Sequence, residues 1–127
     1  MAQREYFLVA ESVSVDQLSN RASLFHILEE IHLPKFPYSI NMVAASLWNR
    51  ECGDEDLDFQ SKLRIVGPDG KIQEYPQNFK MPSPRLRTFI FVNGFIVTSA
   101  GTLTIELLLN DKHRATHRID VQEAPPQ

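Results

Sequence analysis

The chain has 127 residues, of which 43% are hydrophobic and 23% charged, and this is typical of one globular domain and excludes a disordered segment. Thirteen basic and sixteen acidic residues give a net charge of −3, which argues against a nucleic-acid partner. The single cysteine, Cys52, excludes an intramolecular disulfide.

Two further absences suggest where the chain resides. No apolar run reaches the ~20 residues of a membrane-spanning helix. The first residues, 1–5, lack the basic-then-apolar pattern of a secretion signal. We therefore expect a cytoplasmic protein with no membrane contact.

The first predicted strand covers residues 5–15, and residues 22–33 fit two structures. The helical interpretation rests on apolar residues at i, i+3, i+4 and i+7: Leu24, Ile27, Leu28 and Ile31. The strand interpretation places four apolar residues on one face: Phe25, Ile27, Ile31 and Leu33. Periodicity leaves both open.

After a break at residues 34–37, period-two alternation predicts the remaining strands at 40–49, 59–65, 71–75, 87–97, 102–109 and 114–121. Turn residues separate several of them, as at 67–70 and 110–112. Residues 76–84 contain three prolines and predict an irregular crossing instead of a strand. The tail, residues 123–127, is expected to be flexible.

Seven or eight strands at this spacing predict an all-β fold. The expected architecture is a two-layer antiparallel β-sandwich, immunoglobulin-like or C2-like, forming a single domain over residues 1–127.

Several segments also resemble the signature of a family of short bacterial proteins described as a domain of unknown function. They are Phe-His-Ile-Leu-Glu-Glu-Ile at 25–31, Pro-Lys-Phe-Pro at 34–37, Val-Gly-Pro-Asp-Gly at 66–70, Gly-Phe at 94–95 and a later turn glycine at 101. The resemblance spans about residues 6–121. One departure is Leu28-Glu29, where the family tends to have an aromatic–Asp pair. The resemblance implies a β-sandwich and so favours a strand at 22–33, and it implies no activity.

Catalytic motifs are missing from the sequence. Five scattered glycines form no phosphate-binding loop, and there is no Gly-x-Ser-x-Gly segment. Cys52 has acidic neighbours, which disfavour the thiolate that a nucleophile needs. We therefore predict no catalytic residue and no cofactor.

The acidic segment 51–58 is the candidate metal site. Asp54, Asp56 and Asp58 alternate, and converging carboxylates are the ligands that calcium prefers. The segment is not an EF-hand loop, because Phe59 and Ile65 stand where that loop needs Gly and Glu. The alternative interpretation is a solvated acidic loop.

The strand at 87–97 is apolar on both faces, whereas a strand of a two-layer sandwich needs only one inward face. The predicted outward face, which would form an interaction surface, carries Ile90, Val92 and Ile96, together with Leu24 and Leu28 from residues 22–33. A second copy of the chain, an unidentified protein or the segment 76–84 could cover it.

These observations give three hypotheses of function. The first is a non-enzymatic interaction or structural module that uses an apolar sheet face, with a homodimer or another protein as partner. The second is a ligand- or calcium-binding sandwich with its site at residues 51–58, and the third is an enzyme of unrecognised type.

Overall fold

The computed structural model describes residues 1–125, which form nine β-strands and no helix. The strands are β1 (Gln3–Val15), β2 (Ala22–Ile27), β3 (Glu30–Leu33), β4 (Tyr38–Asn49), β5 (Asp58–Val66), β6 (Ile72–Lys80), β7 (Arg85–Val97), β8 (Gly101–Leu109) and β9 (Lys112–Glu123).

Two sheets pack face to face. One has four strands in the order β2-β1-β4-β7, and the other has five in the order β3-β9-β8-β5-β6. The predicted all-β, two-layer sandwich is confirmed. The strand count of seven or eight was wrong, and so was the purely antiparallel pairing, because β3 runs parallel to β9.

The core between the sheets follows from the alternation of each strand. On β8 and β9 the fully buried side chains recur at every second position, as in Leu103, Ile105, Leu107, Ile119 and Val121. From the other sheet, Val9, Met42 and Trp48 meet them. Burying such a side chain contributes roughly 1.5–3 kcal/mol to stability, so the strict alternation fixes which face each strand turns inward.

Residues 22–33 form neither a helix nor one strand. The chain leaves the four-stranded sheet after Ile27 and enters the five-stranded sheet at Glu30. Residues Leu28 and Glu29 make this crossing, and their backbone groups bind both sheets. The N–H of Leu28 donates to the carbonyl of Val9, and the N–H of Asp120 donates to the carbonyl of Glu29. The apolar residues at i, i+3, i+4 and i+7 therefore do not mark a helix. They belong to two short consecutive strands, β2 and β3, and the crossing between them, and the two strands lie in different sheets.

The predicted irregular crossing at residues 76–84 is confirmed only for residues 81–84, because residues 76–80 belong to a strand. Strand β6 continues to Lys80, and Pro76 pairs with Lys62 on the one side of β6 that has a neighbour. A proline is tolerated there because β6 is an edge strand. The Phe79 ring stacks on Phe59 at 5.5 Å, and Met81 is fully buried. The segment therefore closes the core and does not cover the outer face of a sheet.

The start of the predicted flexible tail is held in the sheet. Glu123 pairs with Leu33, and the N–H of Ala124 donates to the Leu33 carbonyl at 2.7 Å. The prediction for residues 126–127 lies outside the described residues.

A small polar cluster is buried in the apolar core. The hydroxyls of Ser46 and Thr88 lie 2.8 Å apart on the paired strands β4 and β7, and the indole Nε1–H of Trp48 donates to the Thr88 hydroxyl at 3.2 Å. The Thr88 hydroxyl thus forms hydrogen bonds with both Ser46 and Trp48.

Thr88→Val is expected to lower the free energy of unfolding by about 1–3 kcal/mol, because it leaves the Trp48 N–H and the Ser46 hydroxyl buried without this partner. Thr88→Ser keeps the hydroxyl and is expected to cost about 0.8 kcal/mol for the lost methyl group. Urea unfolding of both variants measures the difference. A Val variant as stable as the Ser variant would contradict the role of the hydroxyl.

The β5–β6 turn is tied to the β7–β8 turn through one carboxylate. Asp69 Oδ1 accepts the backbone N–H of Lys71 at 3.0 Å, and Oδ2 accepts the Thr98 hydroxyl at 3.1 Å. The hydrogen bond from the Lys71 N–H is the main reason why the pKa of Asp69 is lowered from its usual value. The folded state therefore favours the ionised form.

The contribution of Asp69 to stability is expected to be complete above the ordinary Asp pKa of about 3.9 and to be lost as the pH falls through the lower folded-state pKa. The urea midpoint of unfolding should decrease less from about pH 7 to about pH 3 in Asp69→Asn than in the parent chain. Asp56→Asn, in another exposed turn, is the control. Equal acid sensitivity in the parent and Asp69→Asn would contradict the linkage.

Candidate functional site

The outer face of the four-stranded sheet carries a continuous apolar surface. Rows of paired residues cross it, and each row points to the same side. One row runs through Ile27, Ala10, Val43 and Phe91, and the next through Leu8, Ala45 and Phe89. The opposite face of this sheet, with Val9, Met42 and Trp48, belongs to the core. A sandwich strand needs no such outer row, so this face is the first candidate for a functional surface.

A β-bulge on β7 decides which side chains reach this face. Ile40 pairs with Phe95 and Met42 with Val92, so β7 has one residue more than β4 between these pairs. Gly94, at φ +73°, takes the left-handed conformation there, and its N–H donates to Asn41 Oδ1 at 2.8 Å. Even-numbered residues face the core before the bulge, and odd-numbered residues face it afterwards.

The predicted outward face of β7 was therefore wrong in its first half. Ile90 and Val92 point into the core and are only 8% and 1% exposed. Ile96, beyond the bulge, is outward and 50% exposed, and Phe91 is 60% exposed. Uninterrupted alternation cannot place Phe91 and Ile96 on the same face, and Asn93-Gly94 was the sequence signal for the interruption.

The predicted positions on residues 22–33 were also wrong. Leu24 is half-buried opposite Val13, and Leu28 is half-buried against the core. The exposed apolar residues of β2 are Phe25 and Ile27. This follows from the strand pairing, in which Phe25 lies opposite Ser12 and Ile27 opposite Ala10.

Part of the outer face is covered by the chain itself. Strand β1 pairs with β4 only up to Ala10, and from Ala10 onward it pairs with β2 alone. The resulting hairpin, residues 11–27, is called the arm here, and its tip is residues 16–21. Ala10, Val43 and Ala45 point outward and lie outside the core cluster, yet they are almost fully buried. The arm shields them.

The tip of the arm is fastened to β7. Arg87 donates from Nη1 to the backbone carbonyl of Asn20 at 3.1 Å and from Nη2 to Asn20 Oδ1 at 3.0 Å. Arg87 pairs with Leu47, which in turn pairs with Tyr6, so the contact lies on the outer face, several residues away from the point where the arm departs. These two bonds hold the arm across the sheet.

A groove of about 890 Å³ lies between the tip of the arm and the sheet. Three arginines line it: Arg21 from the arm and Arg85 and Arg87 from β7. Aromatic side chains, Tyr6 and Phe89, complete much of the wall, and the Arg87 guanidinium lies 5.8 Å from the centre of the Phe89 ring. The sequence alone does not reveal this groove, because Arg85 and Arg87 have the alternation typical of the solvated start of a strand and Arg21 lies in a distant segment.

The acidic segment 51–58 does not gather its carboxylates. Asp54 is buried and accepts the N–H of Glu51 at 3.1 Å, and its other oxygen lies 3.4 Å from the Met1 amino group. Asp56 is exposed, and Asp58 pairs with Lys80 at 3.5 Å. Within residues 1–125, no three His, Cys, Asp or Glu side chains lie close enough together to hold a metal ion. Asp54 instead stabilises its own turn.

This chain is similar to known proteins in its fold. No family model matches the chain, and no curated protein does. A solved structure of the Pseudomonas fluorescens alkylpurine DNA glycosylase AlkC, bound to DNA containing an abasic site analog, matches 95% of this chain with a TM-score of 0.60 and 7% identity. This chain spans only 30% of the length of that protein.

A second solved structure, an immunoglobulin-like protein (PA1606) from Pseudomonas aeruginosa, matches 96% of this chain, and the match covers 97% of that protein, with a TM-score of 0.41 and 14% identity. The family suggested by the sequence resemblance stays a prediction, since no family model supports it. The described part of the chain also contains no helix with the length and apolarity to span a membrane.

Arg87→Met is expected to release the tip of the arm, because it removes both hydrogen bonds to Asn20. Amide hydrogen exchange should then become at least severalfold faster in the arm while it stays unchanged in β5 and β8. Arg118→Met, an exposed arginine on β9, removes the same charge from the other sheet and serves as the control. Unchanged exchange in the arm of Arg87→Met would show that the two bonds do not hold it.

Proposed function

We propose that this chain is a non-catalytic interaction module that self-associates through strand β7. The observation that carries the proposal is the exposure of Phe91 and Ile96 on the outer face of an edge strand 13 residues long. Full burial of such side chains is worth roughly 1.5–3 kcal/mol each, which a second copy can supply. The acidic segment 51–58 offers no comparable support for a calcium site, since its carboxylates are engaged separately.

The backbone of β7 offers the second part of the interface. The carbonyl of Phe89 points away from β4, because it accepts the side-chain amide of Gln77 at 3.0 Å. In an antiparallel pair both backbone groups of a residue point to the same side, and residues two apart point alike. Phe91 therefore presents its N–H and carbonyl at the free edge. The amide oxygen of the same side chain, Gln77 Oε1, is buried and has no hydrogen-bond partner among the described residues.

A second copy is the partner that fits this edge. Two identical strands can pair antiparallel about a twofold axis, which joins the two four-stranded sheets into one and brings each Phe91 near the other. The bulge at Asn93-Gly94 on one side and the contact of Gln77 with Phe89 on the other limit the regular pairing to the few residues around Phe91. The interface would then consist of paired backbone with Phe91 and Ile96 on one face.

Phe91→Glu is expected to convert the dimer into a monomer, because it places a charge at the centre of the proposed interface. Light scattering over a hundredfold concentration range measures the molar mass. The variant should still unfold in one cooperative urea transition, because the side chain is exposed in the single chain, and it should lose only the stability that association adds.

Ile72→Glu is the matched control. Ile72 is 58% exposed on β6, the edge strand of the other sheet, so the same change there should leave the dimer intact. A parent chain that stays monomeric at every concentration would refute self-association. Dissociation by Ile72→Glu as readily as by Phe91→Glu would refute the assignment to β7.

A further inference from the structure

The groove between the tip of the arm and the sheet is distinct from the Phe91–Ile96 surface. Its lining contains Arg21, Arg85 and Arg87, and among the described residues that line it there is no aspartate or glutamate. In a chain with a net charge of −3 this is a local excess of positive charge. Tyr6 and Ser83 also line the groove, and the Ser83 hydroxyl donates to the Arg85 carbonyl at 3.0 Å. A groove with this lining attracts an anionic group.

Arg87 shows how such a group would be held. Its two terminal nitrogens donate to two different oxygens of Asn20, at 3.1 and 3.0 Å. A carboxylate binds a guanidinium in the same way, with two oxygens on two nitrogens, but with a full negative charge. The two uncharged oxygens of Asn20 thus occupy the position that a carboxylate would take. Two of the five N–H donors of Arg87 are used, and the others remain for a ligand.

The other two arginines of the groove come from different segments of the chain. Arg85 is two residues away on the same face of β7 and pairs with Glu5, and both side chains of that pair are largely in solvent. An exposed pair of this kind contributes little and exchanges readily with another carboxylate. Arg21 follows Asn20 directly and is exposed. The arm and β7 thus bring three guanidinium groups to the lining of one groove.

We propose that this groove binds a short acidic peptide segment of a partner protein, with two or three carboxylates on Arg21, Arg85 and Arg87. A peptide is favoured over nucleic acid because the groove carries only three arginines, whereas a polyphosphate backbone requires a broad basic field. The aliphatic and aromatic wall of Tyr6, Leu47 and Phe89 accommodates the peptide backbone and apolar side chains between the carboxylates. The proposal does not depend on self-association, since Phe91 and Ile96 do not line the groove.

The test is a fluorescence-anisotropy titration of labelled hexaglutamate at low ionic strength, with hexaglutamine and an oligothymidylate of equal length as comparison probes. Hexaglutamate is expected to bind and hexaglutamine not. Arg21→Gln and Arg87→Gln should each weaken binding by roughly tenfold or more, because a hydrogen bond to a charged group is lost. Arg21→Gln leaves the Arg87–Asn20 contact in place, so its effect does not depend on the position of the arm.

Arg118→Gln on β9 is the control with the same change in charge, and it should bind as the parent does. The proposal fails if the parent does not bind hexaglutamate, or if Arg118→Gln weakens binding as much as Arg21→Gln, which would indicate general charge attraction. Tighter binding of the oligothymidylate than of hexaglutamate would also overturn it, in favour of a nucleic-acid site. The molar mass measured for the Phe91 variant is unaffected by any of these outcomes, so the two proposals are tested separately.

Discussion

The pairing of β4 with β7 is the constraint on which the surfaces of this molecule depend. Before the bulge, Ser46, Thr88 and Trp48 fix its register through hydrogen bonds that no apolar neighbour could replace. After the bulge, the extra residue turns the other side of β7 to the core. Phe91 and Ile96 share the outer face for this reason, and the basic start of β7 lies below the tip of the arm. A one-residue shift would bury the arginines and expose the core.

The sequence predicted the fold where one periodicity held without interruption. Strand β5 alternates over its whole length, and β8 and β9 alternate up to an irregularity at Leu107–Leu108, near the turn that joins them. The predicted and observed limits of these three strands agree within a few residues. The prediction failed where the chain breaks its own period. Leu28-Glu29 carries the chain between sheets, Pro76 lies inside an edge strand, and Asn93-Gly94 forms a bulge. Each of these three irregularities depends on which strands pair with the segment, and a local segment of sequence does not contain that information.

The candidate sites show the same limit more strongly. The apolar excess of β7 was evident from composition, but Ile90 and Val92 belong to the core, and Phe91 belongs to the surface. The three aspartates alternate in sequence, and folding gives each a different partner or none. Arg21 and Arg87 are 66 residues apart and meet only because the arm folds across the sheet, as the Asn20–Arg87 bonds show. No spacing rule could have joined them.

The parallel pair of β3 and β9 has a consequence for the order of folding. Glu30 pairs with Asp120, so this edge of the five-stranded sheet joins residues 90 positions apart. Such a pairing closes a long loop, and its entropic cost is met only after the strands between have assembled. On a ribosome, β3 waits without its neighbour until residue 120 has left the exit tunnel. During that interval the edge of β3 is open to other nascent chains. Fast synthesis would shorten the interval, and chaperone binding would protect the edge.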